Sequence, residues 1–145
     1  QSQFLVLATP PYITEKLIAR HGSAVLKPST ASLNYYYEPI CTVYLQYPPE
    51  THTRGIMTGF FNTLSQWAID RSVCQQPGLI AVVISGSGEH TKIPHKQLAE
   101  KVHYELSACL PEQPRYLDYR VIIEKRATFS CRVNIEQQRP YNKTQ

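Results

Sequence analysis

Side chains able to do chemistry are sparse in this chain and scattered along it. His90, His95 and His103 are the one close set of histidines; on a helix His95 and His103 would stand about 80° apart at roughly 100° per residue. No carboxylate or cysteine completes a zinc-like spacing with them, so the expectation is no metal site. Cys41, Cys74, Cys109 and Cys131 are widely separated, form no C-x-x-C pair and lie mostly within apolar runs. That is the setting of a thiol acting as a small hydrophobe in a reducing compartment. No G-x-S-x-G elbow marks a serine nucleophile. Ser85-Gly86-Ser87-Gly88 follows an apolar run, and the amides of such a loop can cradle a phosphate, but without a following Lys and an immediate helix start it reads as a turn. Neither G-x-G-x-x-G nor G-x-x-x-x-G-K-[ST] occurs, so the usual grips on a dinucleotide or nucleoside triphosphate are missing. Asp70-Arg71 and Glu124-Lys125-Arg126 place charge at the ends of strand-like runs, where pairing or solvation are both open. The aromatics are more suggestive: Tyr35, Tyr36, Tyr37, Tyr44, Tyr47, Phe60, Phe61, Trp67, Tyr119 and Phe129 fall on or near those runs. Such residues either line a pocket for a large apolar ligand or fill the core.

The elements that must position these groups follow from period and punctuation. Phe4–Ala8 reads as an apolar strand of the doubly buried kind. Tyr12 to His21 has helical spacing at Ile13, Leu17 and Ile18, with Thr9 as a cap, Pro10 or Pro11 in the first turn and Gly22 as a stop. The stretch 29–37 is ambiguous, with Ser29 or Thr30 able to cap a short helix. Ile40–Gln46 is β-branched and aromatic, and Ile56–Phe61, Gln66–Asp70 and Leu79–Ser85 read as three further strands joined by short polar connections, as in an antiparallel meander. Pro94–Leu110 is the clearest helix, with Leu98, Val102, Leu106 and Cys109 or Leu110 on one stripe and Lys96, Lys101 and Glu105 away from it. Tyr119–Lys125 gives a last strand in which Val121 and Ile123 share a face. The order predicts an α+β domain, a mixed and largely antiparallel sheet covered by helices.

A chain of 145 residues with 42% apolar content has the size of one domain and can bury a core. Its net charge of +4 is spread along the sequence, a weak footprint for nucleic acid. No apolar run approaches the roughly 20 residues that span a bilayer, and no export leader opens the chain. The abrupt apolar start and polar finish predict one domain, residues 1–145, cut from a larger protein.

Five stretches taken in order carry a resemblance: FLVLATPP (4–11), YEPICTVYLQYP (37–48), SQWAIDR (65–71), LIAVVISGSGEH (79–90) and RVIIEKRATFSC (120–131). Together they resemble the central part of hydroxysqualene dehydroxylases, squalene-associated FAD-dependent desaturases within the amine oxidase and phytoene desaturase superfamily. SQWAIDR departs from the Gly-rich version of that family. The resemblance implies a substrate-binding domain inserted between two FAD-contacting segments. The implied parent enzyme uses FAD to remove the hydroxyl of hydroxysqualene reductively, giving squalene for hopanoid or related triterpene synthesis. It implies a large apolar isoprenoid as ligand, no nucleic acid, a cytoplasmic location and peripheral contact of the parent with the membrane. Under it, Tyr44, Phe60, Trp67 and Phe129 are the candidate lining residues, and Pro10, Pro11, Arg126 and Thr128 the candidates nearest the flavin, with no catalytic residue assigned. A pocket of this kind binds through apolar area with few polar groups. A carotenoid or phytoene desaturase, an amine oxidase, or a non-catalytic ligand-binding module with Arg115 to Arg139 as its surface are the alternatives.

Overall fold

Long β-branched runs have few stable places outside the centre of a sheet, and two of them set this architecture. The computed structural model describes residues 6–21, 35–110, 112 and 114–138. In chain order the regular elements are α1 (Pro11–His21), β1 (Tyr37–Gln46), β2 (Met57–Gly59), β3 (Trp67–Asp70), β4 (Leu79–Ser85), α2 (His95–Ser107) and β5 (Asp118–Phe129), with 3-10 turns at Arg71–Cys74, Glu89–Lys92 and Ile135–Gln138. The chain divides into two compact units, one formed by Tyr37–Phe129 and the other by Gln1–Tyr36 with Ser130–Gln145.

The unit Tyr37–Phe129 is a five-stranded sheet in the order β2-β3-β4-β1-β5. Every pairing is antiparallel, so the mixed sheet predicted from sequence is antiparallel throughout. Alternation sorts the side chains. Cys41, Val43 and Leu45 of β1 point to the same face as Ile80, Val82 and Ile84 of β4, and all six are buried. Onto this face α2 lays Leu98, Ala99, Val102 and Leu106, with Leu110 just beyond. Of the two residues offered for the end of that stripe, Leu110 is buried and Cys109 only half-buried. Removing each such aliphatic side chain from water contributes about 1.5–3 kcal/mol.

A long connection carries the chain from β1, in the sheet's interior, past β4 and β3 to β2 at the edge. Two devices hold it. Gly78 has φ +71°, and a Cβ there would come within 2.5 Å of the carbonyl oxygens of Tyr47 and Pro48, so only glycine lets the connection pass; the Tyr47 amide donates to the Gly78 carbonyl at 2.8 Å. Further along, the buried Asp70 carboxylate at the end of β3 accepts from the Thr53 amide at 3.2 Å and the Ser72 amide at 2.9 Å, and its Oδ2 lies 3.3 Å from His52 Nδ1. The Asp70 amide donates to Ile56, completing the clamp.

Several expectations change in the structure. β1 begins before Ile40 and runs through Pro39, where the β1–β5 register shifts between Glu38 and Ile40, a place where a residue without an N–H is tolerated. β5 continues four residues past Lys125. β2 is only Met57–Gly59. Glu105 is half-buried and engaged: its carboxylate accepts from the Leu64 amide at 3.0 Å, and from the Ser65 amide at 2.8 Å and Ser65 hydroxyl at 2.6 Å. Those donors have no strand partner in the β2–β3 loop, and the helix supplies one.

In the other unit, α1 starts at Pro11, and the Ile13 and Thr14 amides donate to the Pro10 carbonyl. Thr9 does not cap them; its hydroxyl bonds that of Thr14 at 2.8 Å. Val6 is exposed and residues 6–8 form no strand; Phe4, Leu5, Gly22 and the helix considered after Ser29 lie outside the described residues. The Ser130 amide donates to Tyr36 at 2.7 Å, and the Arg132 guanidinium sits 3.5 Å from the Tyr36 ring centroid.

Leu98→Ala is expected to lower stability by about 2–5 kcal/mol in urea denaturation, because it opens a cavity between α2 and the sheet. Ile122→Ala, on the opposite face, is expected to change it by less than about 1 kcal/mol.

Candidate functional site: the helix-free face of the sheet

Among the described residues of the Tyr37–Phe129 unit no helix lies on the second face of its sheet, and the register builds that face from rows. One row crosses all five strands as Met57, Ile69, Ala81, Tyr44 and Arg120; the next runs Gly59, Trp67, Val83, Thr42 and Ile122. A third joins Ser85, Ile40 and Glu124, and a fourth Leu79, Gln46 and Asp118. Four strand spacings of about 4.8 Å make each full row roughly 19 Å wide. Met57, Trp67 and Ile122 are 60%, 48% and 46% exposed. A sheet that faces water on one side ordinarily alternates apolar with polar residues, whereas apolar residues on both sides are the pattern of a sheet covered twice. β3 and β4 have the second pattern, and the helix that this unit supplies lies on one side of them.

Trp67, the single tryptophan of the chain, is the largest group on this face and its position is fixed. A Cβ built on Gly59 would meet the Trp67 ring at 3.1 Å, so the indole lies against the glycine backbone across the β2–β3 pair. The adjoining loop is held by Glu105 through Leu64 and Ser65, which ties the Trp67 end of β3 to α2.

The lining residues proposed from sequence are divided by the structure. Tyr44 and Trp67 share the helix-free face, in adjacent rows. Phe60 is packed against the core, since it follows Gly59 by one position and falls with Thr58 on the helix side. Phe129 pairs with Tyr37 at the far end of β5, beyond the register shift. Arg126 and Thr128 are exposed on β5, the Arg126 guanidinium 5.9 Å from the Tyr37 ring centroid, whereas Pro10 and Pro11 belong to the other unit. Sequence reasoning missed Met57, Ile69, Val83, Thr42 and Ile122. The signal was present as alternation: in Trp67-Ala68-Ile69-Asp70 the residues that alternate with the buried Ala68 and Asp70 are apolar as well.

No arrangement among the described residues by itself assigns a flavin site. Pro11 has no N–H, the next amides of α1 close its first turn onto Pro10, and the Gly86 amide donates to Pro39 at 2.9 Å, which leaves the Ser85–Gly88 turn poorly furnished for a pyrophosphate. The histidines are apart: His90 is buried, His95 is exposed on α2, and His103 Nδ1 bonds the Tyr47 hydroxyl at 2.8 Å. Among the described residues no group of His, Cys, Asp or Glu is arranged to hold a metal ion, and no helix is long and apolar enough to cross a membrane. The four cysteines are free; Cys41 is buried, and burial pushes its thiol pKa up, but Cys74 and Cys131 are exposed, against the expectation that the thiols are mainly interior. No protein-family model matches the chain, and comparison with curated proteins gives no match.

Asp70, His103 and Tyr47 titrate away from their ordinary values. Burial pushes the Asp70 carboxyl up, but the hydrogen bonds from Ser72, Thr53 and His52 outweigh it and hold the pKa below 3.8. Its contribution to stability is therefore complete above that pH and lost as pH falls through the folded value. Burial, with Arg115 nearby, holds the His103 pKa below 6.5, while burial of Tyr47 pushes its phenol well up. The Tyr47 hydroxyl and neutral His103 thus share one hydrogen bond. Because the unfolded chain takes up this proton first, stability is complete above pH 6.5 and declines as pH falls from there through the folded value. Asp70→Asn is expected to cost about 1–3 kcal/mol at neutral pH and to remove the steepest acid limb of a urea-midpoint profile. A Tyr47→Phe, His103→Phe double variant is expected to flatten the limb just below pH 6.5.

Proposed function

We propose that the chain is the substrate-binding domain of an FAD-dependent oxidoreductase of the hydroxysqualene dehydroxylase type, resembling the substrate domain of amine-oxidase-like flavoenzymes. In this reading the helix-free face forms one wall of the pocket for a large isoprenoid, and FAD, held by segments of the parent outside the described residues, supplies the redox chemistry. The observation that carries the proposal is the pair of rows around Trp67 on the side of the sheet opposite α2, in a sheet whose composition calls for cover on both sides. A polyene has little to hydrogen-bond, so a broad aliphatic and aromatic wall is the surface that binds it, at about 25 cal/mol per Å².

Chain connectivity supports the same reading. The Tyr37–Phe129 unit begins and ends on residues that are partners in one ladder. A domain with neighbouring ends can be inserted into another without separating the halves of its host. Within the pocket this chain's residues bind and exclude water; none is assigned a proton transfer. A cytoplasmic enzyme collecting its substrate from the membrane surface is the setting this substrate implies.

The test is to assay the complete parent protein, loaded with FAD and a reductant, for conversion of hydroxysqualene to squalene. Trp67→Ala is expected to raise KM roughly tenfold, about 1.4 kcal/mol of lost apolar contact, with kcat nearly unchanged, because the indole binds ground and transition state alike. A folded, flavin-loaded parent that leaves hydroxysqualene untouched would sink this substrate, and turnover of an amine or a carotenoid would replace it with one of the alternatives.

A further inference from the structure

The two edges of the five-stranded sheet are unlike. β2 is three residues long, whereas β5 runs for twelve and pairs with β1 in unbroken register from Asp118 to Glu124. A strand at the end of a sheet presents a row of unpaired backbone donors and acceptors, which short length, proline or a bulge ordinarily protects. The stretch Asp118 to Glu124 has none of these. Its outward groups follow from the ladder. The Tyr47 amide donates to Gly78 across β1 and β4, so odd-numbered residues of β1 bond toward β4 and even-numbered ones toward β5. On β5 the even-numbered residues up to Glu124 therefore bond to β1, and Tyr119, Val121 and Ile123 direct their N–H and C=O groups away from the sheet. The Tyr119 amide is taken by the Asp118 carboxylate at 2.8 Å. Among the described residues nothing bonds the outward groups of Val121 and Ile123.

Charge is the remaining protection of an edge, and here both signs occur in a self-complementary order. Arg120 and Glu124 are exposed and stand beside Tyr44 and Ile40 of β1. They are about 13 Å apart along the strand, too far to pair with each other, and among the described residues neither has an ion pair. We propose that β5 pairs antiparallel with β5 of a second copy of this chain about a two-fold axis at Ile122, joining the two sheets into one. In that register Arg120 of each copy lies opposite Glu124 of the other, and the exposed Ile122 lies against its own counterpart. Val121 and Ile123 exchange backbone hydrogen bonds with Ile123 and Val121 of the other copy, outward groups meeting outward groups. The neighbouring registers are worse. An axis at Val121 sets Asp118 against Glu124, and one at Ile123 sets the apolar Ile122 against Glu124 and turns Arg120 toward the basic Lys125-Arg126 end; like charges directly opposite are destabilising. The contact uses the same strand of both copies, so it closes at two, and it is independent of what the face opposite α2 binds.

Sedimentation equilibrium of the full chain over a range of concentrations, at low ionic strength, should show monomer and dimer, with the dimer weakened by added salt. Arg120→Glu and Glu124→Arg each set like charges opposite one another at two places, so each alone should weaken the dimer about tenfold. The double variant should restore it, and so should mixing the two single variants, whose charges complement each other. Both positions are exposed, and circular dichroism checks that the variants fold. A cross-link reads the register without relying on affinity. With the exposed Cys74 and Cys131 changed to serine, Ile122→Cys should form a disulfide with its own counterpart, since residues facing each other in such a pair have Cα atoms about 4.5 Å apart. Arg120→Cys should not, because its two copies would stand about 13 Å apart. A chain that stays monomeric at millimolar concentration would overturn the proposal. So would a dimer indifferent to both charge reversals, a double variant or mixture that fails to recover, or equal cross-linking at the two positions.

Discussion

The architecture of the Tyr37–Phe129 unit depends on holding one connection. β1 lies inside the sheet, yet the next strand in sequence is the far edge, so the chain must cross the ends of β4 and β3 before pairing resumes. Left loose, such a connection would expose backbone donors and let β2 drift. Gly78 allows it to pass close by, and the Asp70 carboxylate gathers Thr53, His52 and Ser72 on its far side. The carboxylate's suitability lies in its capacity: two oxygens accept several donors where a neutral side chain accepts fewer. With the connection pinned, β2 and β3 can bring Gly59 and Trp67 together, and the open face acquires its aromatic end.

Helix and sheet divide the work between two faces. α2 completes a core on one side, and Glu105 reaches from it to the loop that leads into Trp67. The buried core of the unit thus lies mainly on the helix side, while the other face carries Trp67 against Gly59.

Much of this organisation was legible in the sequence, and the limits were local. Leu79–Ser85 was bounded correctly because turn residues flank an unbroken apolar run, and the stripe Leu98, Val102, Leu106 gave α2 its buried side. Phe60 shows where pattern reading fell short: an aromatic beside a strand looks like pocket lining until the hairpin fixes its parity, and a single position decides between wall and core. Glu105 looked solvated because its partners are backbone amides of a distant loop, which side-chain composition does not reveal. The division of the chain into two units was equally hidden, since it depends on the pairing of Tyr37 with Phe129 across most of the sequence.

That pairing also settles how the sheet responds to tension. With both chain ends leaving from one rung of the β1–β5 ladder, a pull on the flanking segments opens the rungs in succession instead of shearing many at once. The ladder is already interrupted between Glu38 and Ile40, so the first rungs to part stand apart from the rest. A domain loaded in this way is soft to traction, and an unfolding motor working from either side would meet its weakest direction first.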